Sequence, residues 1–485
     1  MSLAWIDYLI ICIYLLALVG FGSYFAKFQK TTRDYFLTDR TVPWWGTCFS
    51  IVATETSTLT FIGVPALAYA ADMSFLQLAF GYIIGRFLVT LFFIPIYFKK
   101  NLVTSYELLH QRFGPAAKSL AAVIFLVTRS LADGVRLFAT ALVLSIATQI
   151  PATWIIVGLG VAMILYTERG GVSAVIWTDA VQMFVYMAGA VVVFLALLNQ
   201  IPGGWPEVVR AGLAEGKFTI FHFSINPGET YTLWTGLFGG VALTLATHGT
   251  DQFFVQRLLA ARSAVEAARG LITSGIIVFI QFTLFLIIGV MLYVYYQHSP
   301  PITPFLRDDA VLPTFIAETL TNGAAGFIIA AIIAAALSPS LNAMAATTVN
   351  DLYLQCVSPE IDDADLLRVS RLATVGWGIV QIVIAIGVQW VDRTVLDSGL
   401  AVLSLTAGPI LGAFLLAIGK RDINSNAVII GMLAGTCLLG VVLYQGMIAW
   451  TWYSLIGTAA TVTVALLLDT KVSMEAREKN RLPPR

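Results

Sequence analysis

The sequence predicts an all-α polytopic membrane protein, and three observations carry that prediction. Of its 485 residues, 58% are hydrophobic and only 12% charged, against roughly a quarter charged in a soluble domain. Apolar runs of the length a bilayer-crossing helix requires, about 20 residues, recur along the whole chain. The basic residues cluster in alternate segments between those runs. The 28 Lys+Arg cancel the 28 Asp+Glu, which leaves no basic surface for nucleic acid, and Cys12, Cys48, Cys356 and Cys437 form neither a disulfide framework nor a metal-ligand spacing.

Runs bounded by charges, turn residues and Pro/Gly clusters fall at about thirteen places: 5–26, 43–70, 73–98, 119–148, 152–167, 174–199, 232–254, 270–296, 324–349, 369–390, 396–418, 425–444 and 449–469. The first ends at Lys27 without a small-residue cleavage site, so it reads as a retained helix rather than a signal peptide. Cytoplasmic loops carry the excess of Lys and Arg. With the N-terminus outside and the C-terminus inside, 21 of the 28 basic residues fall on the cytoplasmic side, among them Lys118 and Arg257, and the exterior loops hold only Arg210, Lys217, Arg307 and Arg393. The longest gap, about 200–231, leaves no room for a fused soluble domain. Compact loops and the absence of targeting motifs favour a plasma (inner) membrane.

Ionisable groups within spans are costly, which makes them functional candidates. Eight stand out: Glu55, Arg86, Arg129, Asp133, Arg136, Asp179, His248 and Asp251. The second span carries five consecutive polar residues, Thr54 to Thr58, at mid-depth. That run predicts a broken helix, because irregular backbone is tolerated inside a membrane only where it lines a cavity. Thr247-His248-Gly249-Thr250-Asp251 interrupts the seventh span in the same way, and two interrupted helices at matching positions point to inverted five-helix repeats. Arg129, Asp133 and Arg136 share one helical face. Their excess positive charge requires either another carboxylate, such as Glu55, or an anionic solute group. The partner of Arg86 is not readable. In the ninth span Ser338, Ser340, Asn342, Thr347 and Thr348 offer hydroxyl and amide oxygens, the ligands a hard cation prefers.

Several motifs resemble the sodium:solute symporter family, whose branches include sodium/glucose, proline, sialic acid and monocarboxylate cotransporters. They are Asp34-Tyr35-Phe36-Leu37, Phe61-Ile62-Gly63, Trp177-Thr178-Asp179-Ala180-Val181-Gln182, Gln256-Arg257, the stretch from Asn342 to Tyr353, and Gly408-Pro409-Ile410-Leu411-Gly412. The resemblance implies a LeuT-type core of two inverted repeats. Residues 1–42 then form an extra first helix and cytoplasmic loop, 43–199 the first repeat, 200–231 an exterior loop, 232–418 the second repeat, and 419–485 two final helices and a tail.

The resemblance also implies site roles. Carbonyls of Ala53, Thr56 and Ile332 correspond to the main sodium ligands, whereas the two hydroxyl positions of that site are Ala335 and Ala336 here. Glu55 stands where the proline branch has an acidic residue tied to sodium. Asp179 and Ser338 correspond to a second sodium site, with Pro339 where another hydroxyl is expected. Ser57, Thr60, Phe75, Thr244 and Gln281, with Glu55, correspond to solute contacts. The sialic acid branch's arginine aligns with Ala132, leaving Arg129 and Arg136 to act only from another face.

The expected function is secondary active transport: sodium-coupled symport of a small polar organic solute, whether sugar, amino acid or organic acid, by alternating access. No cofactor is expected, and the only other partner is membrane lipid. Proton coupling through Glu55 and uncoupled passage are the alternatives, and a membrane sensor with an output surface in loop 351–368 is a rival from another class. An intramembrane enzyme is excluded by the lack of any HExxH, Lys-containing P-loop or Ser/His pairing.

Overall fold

A computed structural model describes residues 4–28, 31–301, 305, 307–336, 340–356, 362–390, 395–419 and 421–479. In chain order the α-helices are α1 (Trp5–Tyr24), α2 (Thr32–Leu37), α3 (Trp44–Glu55), α4 (Thr58–Ala70), α5 (Leu76–Phe92), α6 (Ile94–Lys99), α7 (Glu107–Thr148), α8 (Ala152–Gln200), α9 (Gly204–Ala214), α10 (Gly240–Thr250), α11 (Gln252–Leu259), α12 (Ala264–His298), α13 (Val311–Thr319), α14 (Ala324–Ala336), α15 (Leu341–Thr347), α16 (Asp363–Val388), α17 (Val395–Ile418), α18 (Ser425–Gln445) and α19 (Tyr453–Lys479). Among the described residues, seven helices are long and apolar enough to cross a bilayer, and the α3–α4 pair adds a further, bent one.

Glycine and proline set the segmentation. At 1.5 Å per residue the 49 residues of α8 would extend about 74 Å, more than twice the hydrocarbon thickness. Gly171, at φ 57° and ψ −157°, divides α8 where the sequence separates the fifth and sixth runs. Gly114, at φ 81° and followed by Pro115, does the same in α7, so the helical stretch before the fourth run starts well ahead of residue 119. α19 continues to Lys479, ten residues past the end expected from hydropathy, because its last turns are polar yet still helix-forming.

Side chains then fix the helix ends. Ser263 caps α12 by accepting the Glu266 amide at 3.2 Å, and the Glu266 carboxylate accepts the Trp44 amide at 2.7 Å, tying the start of α3 to α12. The first helix is moored similarly. Buried Asp7 accepts the Gly323 and Gly326 amides at 2.7 and 2.8 Å, a carboxylate placed at the positive end of α14. α12 packs along α3, α4 and α5; α17 packs against α7 and α10; α18 and α19 lie outermost against α17.

The two interruptions differ from one another. α3 and α4 meet at 62° across Thr56 and Ser57, both in extended backbone. The seventh run breaks later than its polar centre suggests: the helix persists through Thr250 and opens only at Asp251 (φ −73°, ψ 120°).

Candidate functional site

The first break frees backbone oxygen. The Ser57 amide turns to Thr60 Oγ1 (3.3 Å) instead of back to the Ala53 carbonyl, as a capping residue does when it starts a new helix. Thr56 Oγ1 donates to the Val52 carbonyl at 2.9 Å and accepts from Gln281 Nε2 at 2.6 Å. Thr58 Oγ1 donates to the Ile332 carbonyl at 3.1 Å, and Thr140 Oγ1 lies 2.9 Å from it. Hydroxyls therefore stitch the break to α7, α12 and α14. Ala53, Thr56, Ile332 and Ala335 are all buried; Ser338 and Pro339 lie outside the described residues.

A cavity of about 110 Å³ opens beside the break. Glu55, Ser57, Thr60, Thr244, Thr247 and His248 supply its polar wall, and Phe75, Tyr82, Phe254 and Phe282 its aromatic one. Five of the six solute contacts implied by resemblance, Glu55 included, thus meet in one place. Gln281 does not line it: fully buried, it braces Thr56 and lies 3.4 Å from the Tyr186 hydroxyl. In this conformation it holds the break from α12 rather than facing the cavity. Ala132 lines the cavity together with both Arg129 and Arg136. This corrects the expectation of different faces, since spacings of three and four residues put all three on one helical stripe.

The intramembrane charges resolve into separate, locally balanced sets. Arg86, 1% exposed, pairs with the Glu55 carboxylate, and His248 Nε2 lies 3.5 Å from Arg86 and 3.8 Å from Glu55. A guanidinium only donates, so neutral His248 with hydrogen on Nδ1, 3.0 Å from Thr247 Oγ1, fits both contacts. Arg86 is therefore not part of the Arg129–Asp133–Arg136 group. Within that group Arg129 meets Asp133 through two bonds of 3.1 Å, Arg136 lies 3.8 Å from Asp133, and the balancing carboxylate is Asp251, 3.6 Å from Arg129. Ser340 also donates to Asp133.

Two further pairs were hidden by their place near span ends. Arg257, read as a cytoplasmic-loop residue, is 1% exposed and grips Asp179 at 2.9 and 3.2 Å, with Ser50 Oγ donating to the same carboxylate at 2.6 Å. Asp179 thus faces α3 and α11 away from Glu55, with Thr54 Oγ1 at 3.5 Å as its link to the cavity wall. Lys118 lies 3.2 Å from Asp351, which also accepts from Thr104 Oγ1 at 2.7 Å. Buried and paired, Asp351 cannot serve as part of an exposed output surface.

A family model described as the sodium:solute symporter family matches residues 35–435. The chain belongs to that family. It is a sodium-coupled solute symporter rather than an enzyme, a multi-pass integral protein of the plasma membrane. Among relatives, a sodium/sialic acid symporter of Proteus mirabilis is 30% identical over 96% of each chain, and one of Aliivibrio fischeri is 30% identical over 96% of this chain and 93% of the relative. The human sodium/iodide cotransporter is 28% identical over 91% of this chain and 70% of its own. The solved substrate-bound, outward-open state of a Na⁺-coupled sialic acid symporter superposes with a TM-score of 0.89 at 29% identity, covering 96% of this symporter and 98% of that chain. Mhp1, a nucleobase-cation-symport-1 transporter, shares the fold at a TM-score of 0.56 and 13% identity, covering 90% and 95%.

Proposed function

We propose that this symporter carries one small organic anion inward with sodium, and that both bind at the Thr56–Ser57 break. The observation that carries the reading is the cavity itself, which Arg129 and Arg136 line together with the break's hydroxyls and Glu55. Charge balance supports an anion. The buried cations Arg86, Arg129 and Arg136 face Glu55, Asp133 and Asp251, so a solute anion arriving with one sodium ion adds no net charge to a desolvated site, where unpaired charge is costly. Sialic acid, iodide and monocarboxylate, carried by the relatives, are all anionic.

Sodium takes the carbonyls of Ala53, Thr56 and Ile332, within the field of Glu55. Asp179 with Ser338 is the second candidate position. The main site is short of ligands, since Ala335 and Ala336 offer no side-chain oxygen and the Ile332 carbonyl, inside α14, already accepts from Thr58. Proton coupling through Glu55 is the alternative that the two alanines favour.

The chain has thirteen spans, N-terminus outside and C-terminus inside, with repeats over 43–199 and 232–418 flanked by 1–42, 200–231 and 419–485. The Gly171 division of α8 and the two broken helices support that arrangement. In alternating access the bound ion holds α3 and α14 together in the outward state, and rocking of one bundle against the other then opens the site inward. An anion moving with one sodium ion carries no net charge across and is driven by the sodium gradient; a further sodium ion would add about 2.3 kcal/mol per 100 mV.

The test is uptake into proteoliposomes, driven by an imposed sodium gradient, with a panel of carboxylates, sugars and zwitterions. The reading predicts sodium-driven uptake of a monoanion, lost in Arg136→Gln. Transport restricted to neutral sugars, or a proton gradient sufficing without sodium, would contradict it.

A further inference from the structure

The stretch between α9 and the start of the seventh run reads from sequence as an exterior loop, yet its side chains are arranged inside out for a segment in water. Residues 219–225 alternate with the period of extended chain. His222 is tied down while its side chain stays 42% exposed: its amide donates to Gln77 Oε1 at 3.1 Å, its Nε2 lies 2.6 Å from Asp72 Oδ2, and its carbonyl accepts the Leu233 amide at 2.8 Å. The outward positions are Phe221, Phe223 and Ile225, exposed by 48%, 65% and 86%. From 218 to 228 the chain contains no Asp, Glu, Lys or Arg.

This apolar row continues a surface that already faces lipid. On α5, within a span apolar enough to cross the bilayer, Phe80, Ile84, Phe87 and Leu91 form an exposed stripe at helical spacing. Phe221 stacks on Phe80 with centroids 6.0 Å apart and planes at 7°, and Phe223 stacks on Phe221 at 6.2 Å and 20°. Trp234 Nε1 then donates to the Phe223 carbonyl at 3.3 Å, and the Trp234 ring stacks on exposed Phe238. An aromatic wall therefore runs from one membrane helix across the segment to the next. Trp and Tyr rings settle at the headgroup level of a bilayer, which places Trp234 there, and Phe and Ile side chains are the apolar groups that dip just below it.

We propose that residues 217–231 form a strap embedded in the interface of the outer leaflet, with phospholipid as its partner through Phe221, Phe223 and Ile225. The strap is moored to the outer ends of α4 and α5 by His222–Asp72, by the Met73 amide to the Thr219 carbonyl at 3.1 Å, and by Lys217 Nζ to the Tyr69 carbonyl at 2.7 Å. Movement of that helix pair drags the strap through lipid. The inference rests on the orientation proposed above only for the choice of leaflet.

The experiment places a nitroxide at F223C or I225C, with E229C at the polar tip as control. Exposed Cys12, Cys356 and Cys437 are replaced by Ser and buried Cys48 is kept. In phosphatidylethanolamine/phosphatidylglycerol vesicles, power saturation should show oxygen outcompeting a water-soluble nickel chelate at 223 and 225, and the reverse at 229. Nickel dominating at 223 and 225 would overturn the proposal, as would spin–spin broadening showing that a second copy covers the row. A check on the unmodified chain uses a phospholipid with a diazirine in its acyl chain. Crosslinks should fall on the 219–225 peptide as well as on the α5 stripe, and labelling of the stripe alone would also overturn it.

Discussion

The two helix breaks look alike in sequence and are built for opposite purposes. At Thr56–Ser57 the ends are satisfied by neutral hydroxyls, the chain bends by 62°, and the break lies beside a cavity whose one lining carboxylate, Glu55, is held by Arg86 from the neighbouring α5. At Asp251 the break caps itself, its carboxylate accepting the Phe253 amide at 2.8 Å while the other oxygen meets Arg129 of α7. In the proposed reading the first break is left for a ligand, whereas the second is tied by an ionic latch between α7 and the α10–α11 pair. On the proposed reading an interrupted helix becomes a binding site only where its freed groups are left for a ligand, a condition met by the first break.

The comparison breaks most visibly at Glu55. Glu55→Gln strands Arg86 in the membrane interior and should destabilise the protein by about 3–5 kcal/mol, read as a lowered melting temperature in detergent. Glu55→Gln/Arg86→Gln should recover most of that stability yet still fail in sodium-driven uptake; uptake surviving in the double variant would remove Glu55 from the site. Next in size is Asp251→Asn. Asparagine caps a helix as well as aspartate, and Arg129 keeps both bonds to Asp133, so the loss should be about 1–3 kcal/mol, with equilibrium sodium binding unchanged.

Smaller effects sharpen the description of the first break. Thr58→Val removes the hydroxyl bond to the Ile332 carbonyl and should lower stability by about 1 kcal/mol in the same melting assay. Ala335→Ser restores one missing oxygen beside that carbonyl. It should tighten sodium binding a few-fold, a gain of about 1 kcal/mol or less, seen as a lower half-saturation concentration for uptake. An unchanged half-saturation concentration in Ala335→Ser would place the ion elsewhere.

How far these breaks were legible in the sequence differs by level. That Glu55, Arg86, Arg129, Asp133 and Asp251 matter follows from finding charge in an apolar run, and the polar stretch 54–58 locates the first break within a residue. Partnership was not legible, because Glu55 and Arg86 are 31 residues apart and nothing local distinguishes Glu55 from Asp251 as the balance for Arg129. Arg257 and Asp351 lie at span ends, where hydropathy assigns them to water; only packing shows Arg257 folded back over Phe253 and Asp179. Gln281 shows a related limit: a polar residue in a span signals burial against another polar group, here Thr56, not which side of that group it approaches.

The central claim is that ion binding belongs to the first break and not to the second. The most direct measurement is the sodium-dependent rise in melting temperature of purified protein at constant ionic strength, with choline as replacement, for the wild type, Asp251→Asn and Glu55→Gln/Arg86→Gln. The account predicts the same rise in the wild type and Asp251→Asn and none in the double variant. A rise that persists without Glu55 and Arg86, or disappears with Asp251 alone, would contradict it.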